Sequence, residues 1–96
     1  MMPRLILNFD ERKLQEWAVG THPVSIGRLP GNTVVIDHPA VSGRHARVSR
    51  EGSEYVLEDL QSTNGTFVHD KPIVRHTLLE GDVIVLGRHT LSFTLS

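Results

Sequence analysis

The sequence predicts an all-β protein, built as a sandwich or a barrel. Two observations support this prediction. Apolar and β-branched residues occur in runs of three to six, which suit strands and are too short for ordinary helices. Clusters of Gly, Pro, Asn and Asp separate almost all of these runs at close spacing. In such a chain the loops, and not helices, carry the functional side chains.

The first strand is predicted at Leu5–Phe9, an apolar run ended by an aspartate. Residues 10–23 are ambiguous. Asp10 could cap a helix with Leu14 and Trp17 on one face, but the glycine and proline that follow leave it barely two turns. A strand is therefore favoured for this segment.

From Val24 onward the alternation of runs and turns is clearer. The predicted strands are Val24–Ile26, Thr33–Ile36, Ala46–Ser49, Tyr55–Leu57, Thr66–Val68, Val83–Leu86 and Thr90–Leu95. The predicted turns are Pro30-Gly31-Asn32, Glu51-Gly52-Ser53, Asn64-Gly65, Asp70-Lys71-Pro72 and Glu80-Gly81-Asp82. No repeat, low-complexity tract or linker interrupts the pattern, so we expect residues 1–96 to form a single domain.

The composition argues against several classes of partner. Eleven acidic residues nearly balance ten basic ones, and a net charge of −1 gives no electrostatic footprint for nucleic acid or an anionic membrane. Cysteine is absent, which excludes disulfides and thiolate metal sites and favours a reducing compartment such as the cytoplasm. The apolar run near the N-terminus is too short for a signal peptide or a membrane span.

The segment Gln61–Thr66 is the strongest candidate for a recognition loop. Asn64-Gly65 predicts a reversal of the backbone, because both residues tolerate a left-handed conformation. Ser62 and Thr63 add two hydroxyls beside the Asn64 carboxamide, with no charge to repel an anion. The alternative is an ordinary hairpin whose polar residues satisfy only their own backbone.

Two further segments carry candidate anion-binding groups. Gly27-Arg28 closes the strand Val24–Ile26, and it delivers a guanidinium to a loop end. That planar group matches a phosphate or carboxylate in a bidentate way, although most exposed arginines are merely solvated. The segment Val41–Ala46 contains a hydroxyl (Ser42), mobile N–H groups around a glycine, a second cation and an imidazole, which are the parts of an oxyanion cradle.

These pieces together resemble a forkhead-associated (FHA) domain. The resemblance consists of Gly27-Arg28, Ser42-x-x-His45, Ser62-Thr63-Asn64-Gly65-Thr66 and Leu79-x-Gly81-Asp82-x-Ile84-x-Leu86-Gly87, in this order and spacing. It covers residues 24–93. The resemblance implies an eleven-stranded β-sandwich of two twisted sheets, whose loops at one end bind a phosphothreonine peptide.

The resemblance also implies a role for each matching residue. Arg28, Ser42 and Thr63 would bind the phosphate, and the Asn64 carboxamide would bind the peptide backbone. The residues that would shape the loops are Gly27, Gly43, His45 and Gly65, and the candidates for secondary contacts are Arg44 and Arg88. The implied partner is a protein phosphorylated on threonine by a Ser/Thr kinase. The resemblance implies neither a cofactor nor a catalytic activity for this chain.

The sequence departs from the family's commoner pattern at two places. Gly43 stands where many members have Arg, Lys or Asn directly after the serine, so one side-chain contact to the phosphate is expected to be missing. His69-Asp70 replaces the more usual Asn-Gly after the Thr66–Val68 strand, and because Asp also suits a turn we expect only a local change.

Other functions have weaker support in the sequence. The six histidines show no His-x-His or His-x-x-x-His pair, so no metal site is predicted. Ser42 and His45 are the only candidate pair of nucleophile and base, and the Gly27–Gly31 loop lacks the Lys-Ser/Thr ending of a nucleotide-binding loop. The remaining alternative is a β-sandwich that binds a partner through one face, independently of phosphate.

Overall fold

A computed structural model of the chain describes residues 2–95, and within them it contains eleven strands and no helix. The strands span Arg4–Phe9 (β1), Arg12–Ala18 (β2), Val24–Gly27 (β3), Val34–Val35 (β4), Ala46–Glu51 (β5), Glu54–Asp59 (β6), Phe67–Val68 (β7), Lys71–Pro72 (β8), Arg75–Thr77 (β9), Val83–Leu86 (β10) and His89–Thr94 (β11). The described part of the chain therefore has no helix long and apolar enough to cross a membrane.

The strands form two sheets that pack as a sandwich. The first sheet has the order β2-β1-β11-β10-β7-β8, and the second has the order β4-β3-β5-β6-β9. The β3–β4 pair is parallel, and the other pairs are antiparallel. The structure confirms the predicted all-β sandwich and the eleven strands that the resemblance implies.

The core lies between the sheets and follows the period-two alternation of the strands. On β1, Leu5 and Leu7 point inward opposite Phe93 and Leu91 of β11, and all four are buried. The second sheet contributes inward side chains such as Ile26 from β3. Full burial of one such side chain contributes about 1.5–3 kcal/mol, so the sheets are held together by many such pairs.

The ambiguous segment after β1 is a strand and not a helix. Asp10 and Glu11 both have positive φ, which is the two-residue hairpin turn whose twist matches paired strands. β2 then pairs along the whole of β1, and Trp17 packs against the core. Tertiary pairing decides this segment, because its local pattern suits either structure.

Three details differ from the sequence prediction. The turn after β7 is His69-Asp70, both with positive φ, and Lys71–Pro72 is a strand and not part of a turn. Proline is tolerated there because β8 is an edge strand. β9 was not predicted, since Arg75–Thr77 has no apolar residue. The Asn64-Gly65 segment is not a hairpin, because β6 and β7 belong to different sheets and a seven-residue loop, residues 60–66, crosses between them.

The pairing register brings three loops to one end of the sandwich, called here the loop end. β3 ends, β5 begins and β6 ends at this level, as the register of Ala46 with Ile26 and Asp59 shows. The loops that follow or precede these strand ends are residues 28–33, 36–45 and 60–66. The turns β1–β2 and β10–β11 lie at the same end of the first sheet, since His89 pairs with Phe9.

Candidate functional site

Loop 28–33 is fastened to loop 36–45 by hydrogen bonds to the backbone carbonyls of Ser42 and Gly43. The N–H of Arg28 donates to the carbonyl of Ser42 (3.0 Å), and the Asn32 side chain donates to the carbonyl of Gly43 (2.8 Å). A Cβ at Gly27 would lie 2.2 Å from that same Gly43 oxygen, so only glycine allows this approach. The loop therefore holds the backbone of Arg28 beside Ser42.

The Arg28 side chain is exposed, and it has no ion-pair partner among residues 2–95. An unpaired guanidinium next to a fixed backbone is available to an anionic ligand and loses no existing contact on binding.

Ser42 links loop 36–45 to loop 60–66. Its hydroxyl oxygen accepts a hydrogen bond from the backbone N–H of Thr63 (3.0 Å). Because the hydroxyl acts as an acceptor in this contact, its own proton remains available for an acceptor on a ligand. The structure thus brings Ser42 and Thr63 together, as their predicted roles require.

His45 lies between the same two loops and is fully buried (0% exposed). Its Nδ1 accepts the N–H of Ser42 (3.0 Å), and its Nε2 donates to the carbonyl of Gly65 (2.9 Å). This pattern fits the neutral imidazole with its proton on Nε2. Both ring nitrogens are engaged with backbone groups, so neither is directed at the Ser42 hydroxyl as a general base would be.

The Asn64 side chain bridges the tip of loop 60–66 to loop 36–45. Its Nδ2 donates to the carbonyl of Ala40 (2.9 Å), while the residue itself is exposed. The carboxamide oxygen and the second N–H are left for a ligand. Gly65, which follows, has a φ of 90°, a conformation that glycine adopts without strain.

Asp59, which the sequence analysis did not single out, organises loop 60–66 from within. It accepts the Ser62 hydroxyl (2.5 Å), the Thr66 hydroxyl (2.7 Å) and the Ser62 N–H (3.2 Å). Burial alone would raise the pKa of Asp59, but these hydrogen bonds outweigh it and lower that pKa below its usual value. The Asp59-x-x-Ser62 spacing, typical of a local side-chain turn, was the available signal.

The network around Asp59 corrects one expectation for the tip. The Ser62 hydroxyl donates to Asp59 and accepts the N–H of Gly65 (3.0 Å), so it serves the loop's interior. At the tip of loop 60–66, Thr63 and Asn64 are exposed, whereas Ser62 is only partly so.

Gly43 has little room for a side chain. A Cβ there would lie 3.1 Å from the side chain of Leu29, which is 54% exposed and covers this position. The place where many family members carry a polar side chain is therefore occupied here by an apolar one from the neighbouring loop.

The two candidate secondary contacts lie in different surroundings. Arg44 is exposed between two depressions, of about 260 Å³ and 380 Å³. Leu29 and Asn32 line the first depression, and Leu60 and Gln61 line the second. Arg88 lies in the β10–β11 turn, where its guanidinium covers the Phe9 ring (5.6 Å to the centroid) and pairs with Asp10 (3.6 Å). Arg44 therefore borders the three loops directly, whereas Arg88 belongs to the first sheet's side of the loop end.

Within residues 2–95, no group of three His, Cys, Asp or Glu side chains is arranged to hold a metal ion. Five of the six histidines instead contact backbone groups, carboxylates or one another; these are His38, His45, His69, His76 and His89.

Comparison with known proteins gives matches over most of the chain. The family model described as the FHA domain matches residues 24–87. The glycogen accumulation regulator GarA of Mycolicibacterium smegmatis is 38% identical over 69 residues, which cover 72% of this chain and 44% of GarA. The chain thus spans less than half the length of that relative.

Solved structures agree in fold over the whole chain. One comes from a structural and functional analysis of phosphothreonine-dependent FHA domain interactions. It has a TM-score of 0.90 and 29% identity, and the match covers 100% of this chain and 98% of that one. The structure of Mycobacterium tuberculosis EmbR in complex with a low-affinity phosphopeptide has a TM-score of 0.87 and 32% identity, and the match covers 99% of this chain and 24% of EmbR.

Proposed function

This chain belongs to the FHA domain family, and on that premise we propose that it binds phosphothreonine peptides and thereby recruits a protein phosphorylated by a Ser/Thr kinase. It acts as a binding module in signalling and not as an enzyme. The observation that carries the proposal is the convergence of Arg28, Ser42 and Thr63 at the loop end, each with bonding capacity left for an anion.

The proposed roles follow from the hydrogen-bond donors and acceptors that each residue has left unused. Arg28 supplies a charge-assisted, bidentate contact to phosphate, and the hydroxyls of Ser42 and Thr63 add donors. Asn64 uses its remaining carboxamide groups on the peptide backbone beside the phosphothreonine. Gly27, Gly43, His45 and Gly65 hold the loops in place, and Arg44 and Arg88 are secondary contacts to the flanking peptide.

The missing cysteines suit a reducing compartment, and we therefore place this activity in the cytoplasm. A preformed site of this kind requires no cofactor, because its contacts are hydrogen bonds and one ion pair.

The test is a phosphothreonine peptide-array screen followed by calorimetry on the best peptide, its unphosphorylated form and its phosphoserine form. We expect micromolar affinity for the first, roughly −7 to −9 kcal/mol, and far weaker binding of the second. Equal affinity for the phosphorylated and unphosphorylated peptides would instead favour the phosphate-independent sandwich.

The phosphoserine peptide tests a finer expectation. Phosphoserine has the same charge and oxygens as phosphothreonine, so only the γ-methyl group differs. An apolar niche between the loops that carry Ser42 and Thr63 would give a preference of at least several-fold for threonine, since a buried methyl-sized group contributes about 0.8 kcal/mol or more.

A further inference from the structure

The contacts behind Asn64 extend further into the molecule. The carbonyl of Ala40 holds the Asn64 side chain (2.9 Å), and the N–H of the same Ala40 donates to Nδ1 of His38 (3.1 Å). The ligand-facing carboxamide therefore depends on Ala40, and the backbone of Ala40 depends on the His38 ring.

The His38 ring is itself held by the first sheet. It packs edge-on against His89 (centroids 5.6 Å apart), and His89 lies against Phe9 (4.6 Å). Ala40 is also pressed against the β10–β11 turn, because a Cβ at Gly87 would lie only 2.9 Å from the Cβ of Ala40. This arrangement leaves the ring and the alanine little freedom to move independently.

The hydrogen bond requires His38 to be neutral. Nδ1 can accept the Ala40 N–H only while it carries no proton, and protonation would set two N–H donors against each other. The neighbouring His89 ring makes no hydrogen bond through its Nδ1, which is buried without a partner among the described residues.

The charged groups near the His38 and His89 rings have opposite signs. Arg88 (69% exposed) adds positive charge from the β10–β11 turn, Asp10 adds negative charge from the β1–β2 turn, and Asp37 precedes His38 on its own loop. Burial lowers the pKa of His89, the neighbouring His38 lowers it further, and Asp10 opposes both effects. His89 is thus a packing partner of His38 whose pKa lies below its usual value.

We propose that His38 is a positioning residue for Asn64, and that protonation of His38 weakens phosphopeptide binding by releasing Ala40 and with it the Asn64 carboxamide. The effect on binding rests on the proposed role of Asn64. The coupling from His38 to Asn64 is a property of the free protein and does not depend on that role.

The first experiment needs no ligand. The side-chain amide signals of Asn64 and the backbone amide of Ala40 are followed by ¹H–¹⁵N NMR from about pH 7.5 to about pH 5.5, the range in which imidazoles titrate. We expect both to shift together. In His38→Asn, whose side-chain oxygen can replace Nδ1 as an acceptor but does not titrate in this range, they should stay still.

Equal titration of the Asn64 signals in the wild type and in His38→Asn would overturn the coupling. His38→Ala provides a second variant: its Asn64 signals at about pH 7.5 should resemble those of the acidified wild type. Wild-type-like signals in that variant would also contradict the proposal.

The second experiment measures affinity for the best phosphothreonine peptide at the same two pH values. The phosphate itself titrates near pH 6, so the informative quantity is the ratio of dissociation constants for wild type and His38→Asn. We expect this ratio to rise about fivefold on acidification, the equivalent of one lost hydrogen bond. If the ratio does not change and both proteins bind normally at about pH 7.5, the inference about His38 is wrong, but the proposed function stands.

Two control variants separate the sources of the effect. His22→Asn makes the same substitution at an exposed histidine in the β2–β3 connection, and it should behave as wild type. His89→Phe keeps the aromatic packing without a titrating ring and should retain the pH effect. Loss of the effect in His89→Phe would assign it to His89 and overturn the role of His38. Absence of any phosphopeptide binding at about pH 7.5 would reject the proposed function, while the NMR titration would still decide the coupling.

Discussion

Asp59 and Asp82 lie at opposite ends of the sandwich, and each accepts three hydrogen bonds, but their donors come from different parts of the chain. The donors to Asp59 are Ser62 and Thr66, which lie in one loop with Thr63 and Asn64. The donors to Asp82 are the rings of His69 (3.2 Å) and His76 (2.9 Å) and the N–H of Leu79 (2.9 Å). These three belong to a turn, a strand and a connection that contain none of the proposed ligand residues.

The pKa values of the two carboxylates are nevertheless shifted in the same direction and for the same reason. Asp82 is only 4% exposed, and burial alone would raise its pKa. Hydrogen bonds from His76, Leu79 and His69 outweigh burial and lower that pKa, as the hydroxyls do for Asp59. A buried or partly buried carboxylate that accepts three hydrogen bonds thus occurs at both ends. Asp59 orders the loop that carries Thr63 and Asn64, whereas Asp82 holds together segments that contain none of the proposed ligand residues.

His45→Ala should have the largest effect, because it acts on stability and binding together. The substitution leaves a cavity, and it leaves the partly buried N–H of Ser42 and carbonyl of Gly65 without their hydrogen-bond partner. We expect a loss of about 2–4 kcal/mol in the free energy of unfolding, measured by urea denaturation, and weaker phosphopeptide binding. Lost binding with unchanged thermal stability would instead indicate that His45 contacts the ligand directly.

Arg28→Ala should separate binding from stability. The guanidinium is exposed and unpaired among residues 2–95, so its removal should leave the melting temperature unchanged. Affinity for the phosphopeptide should fall by about tenfold to a hundredfold, the equivalent of a charge-assisted contact of roughly 1.5–3 kcal/mol.

The matched control for Arg28 is Arg50→Ala, which removes an exposed arginine near the other end of the sandwich. Its affinity should equal that of the wild type. A large drop in melting temperature for Arg28→Ala would mark Arg28 as a structural residue.

The two aspartates allow a direct test of the contrast between the ends. Asp82→Asn should lower the free energy of unfolding by about 1–2 kcal/mol, because charge-assisted hydrogen bonds are replaced by weaker ones, and should leave phosphopeptide affinity intact. Asp59→Asn should cost a similar amount and should also weaken binding, since it loosens the loop that holds Thr63 and Asn64. Equal affinities of the two variants would show that the Asp59 network is not needed for recognition.

The sequence predicted the candidate site from residue types that are informative in themselves. Gly27-Arg28, Ser42-x-x-His45 and the Thr63-Asn64 pair could be placed at loop ends, because turn residues mark where strands stop. Asp59 was missed although its spacing to Ser62 is typical of a local side-chain turn, and Ala40 could not be recognised as a contributor. A carboxylate at a strand end is usually solvated, and Ala40 acts only through its backbone.

Strand assignments failed where pairing, and not composition, decides the structure. Lys71–Pro72 has a turn-like composition but pairs with β7 as an edge strand. Arg75–Thr77 has no apolar residue, yet it pairs with β6 and turns His76 toward Asp82. Long-range partners of this kind leave little local trace in a sequence.

The smallest expected effect is the loss of stability in acid that comes from Asp59 and Asp82. A carboxyl whose pKa is lowered in the folded state contributes stability that is fully present above its unfolded value, about 3.9, and is lost as the pH falls through the folded value. The pKa values of Asp59 and Asp82 are both lowered, so their contribution to the free energy of unfolding should hold steady down to about pH 4 and fall below it. In Asp82→Asn the contribution of Asp82 is absent at every pH, so urea denaturation should show a shallower loss of stability in acid. The remaining loss comes from Asp59 and from Glu16 and Glu58, whose pKa values are also lowered. An acid loss as steep as that of the wild type would mean that Asp82 adds nothing to the pH dependence. The two ends would then differ in electrostatics as well as in function.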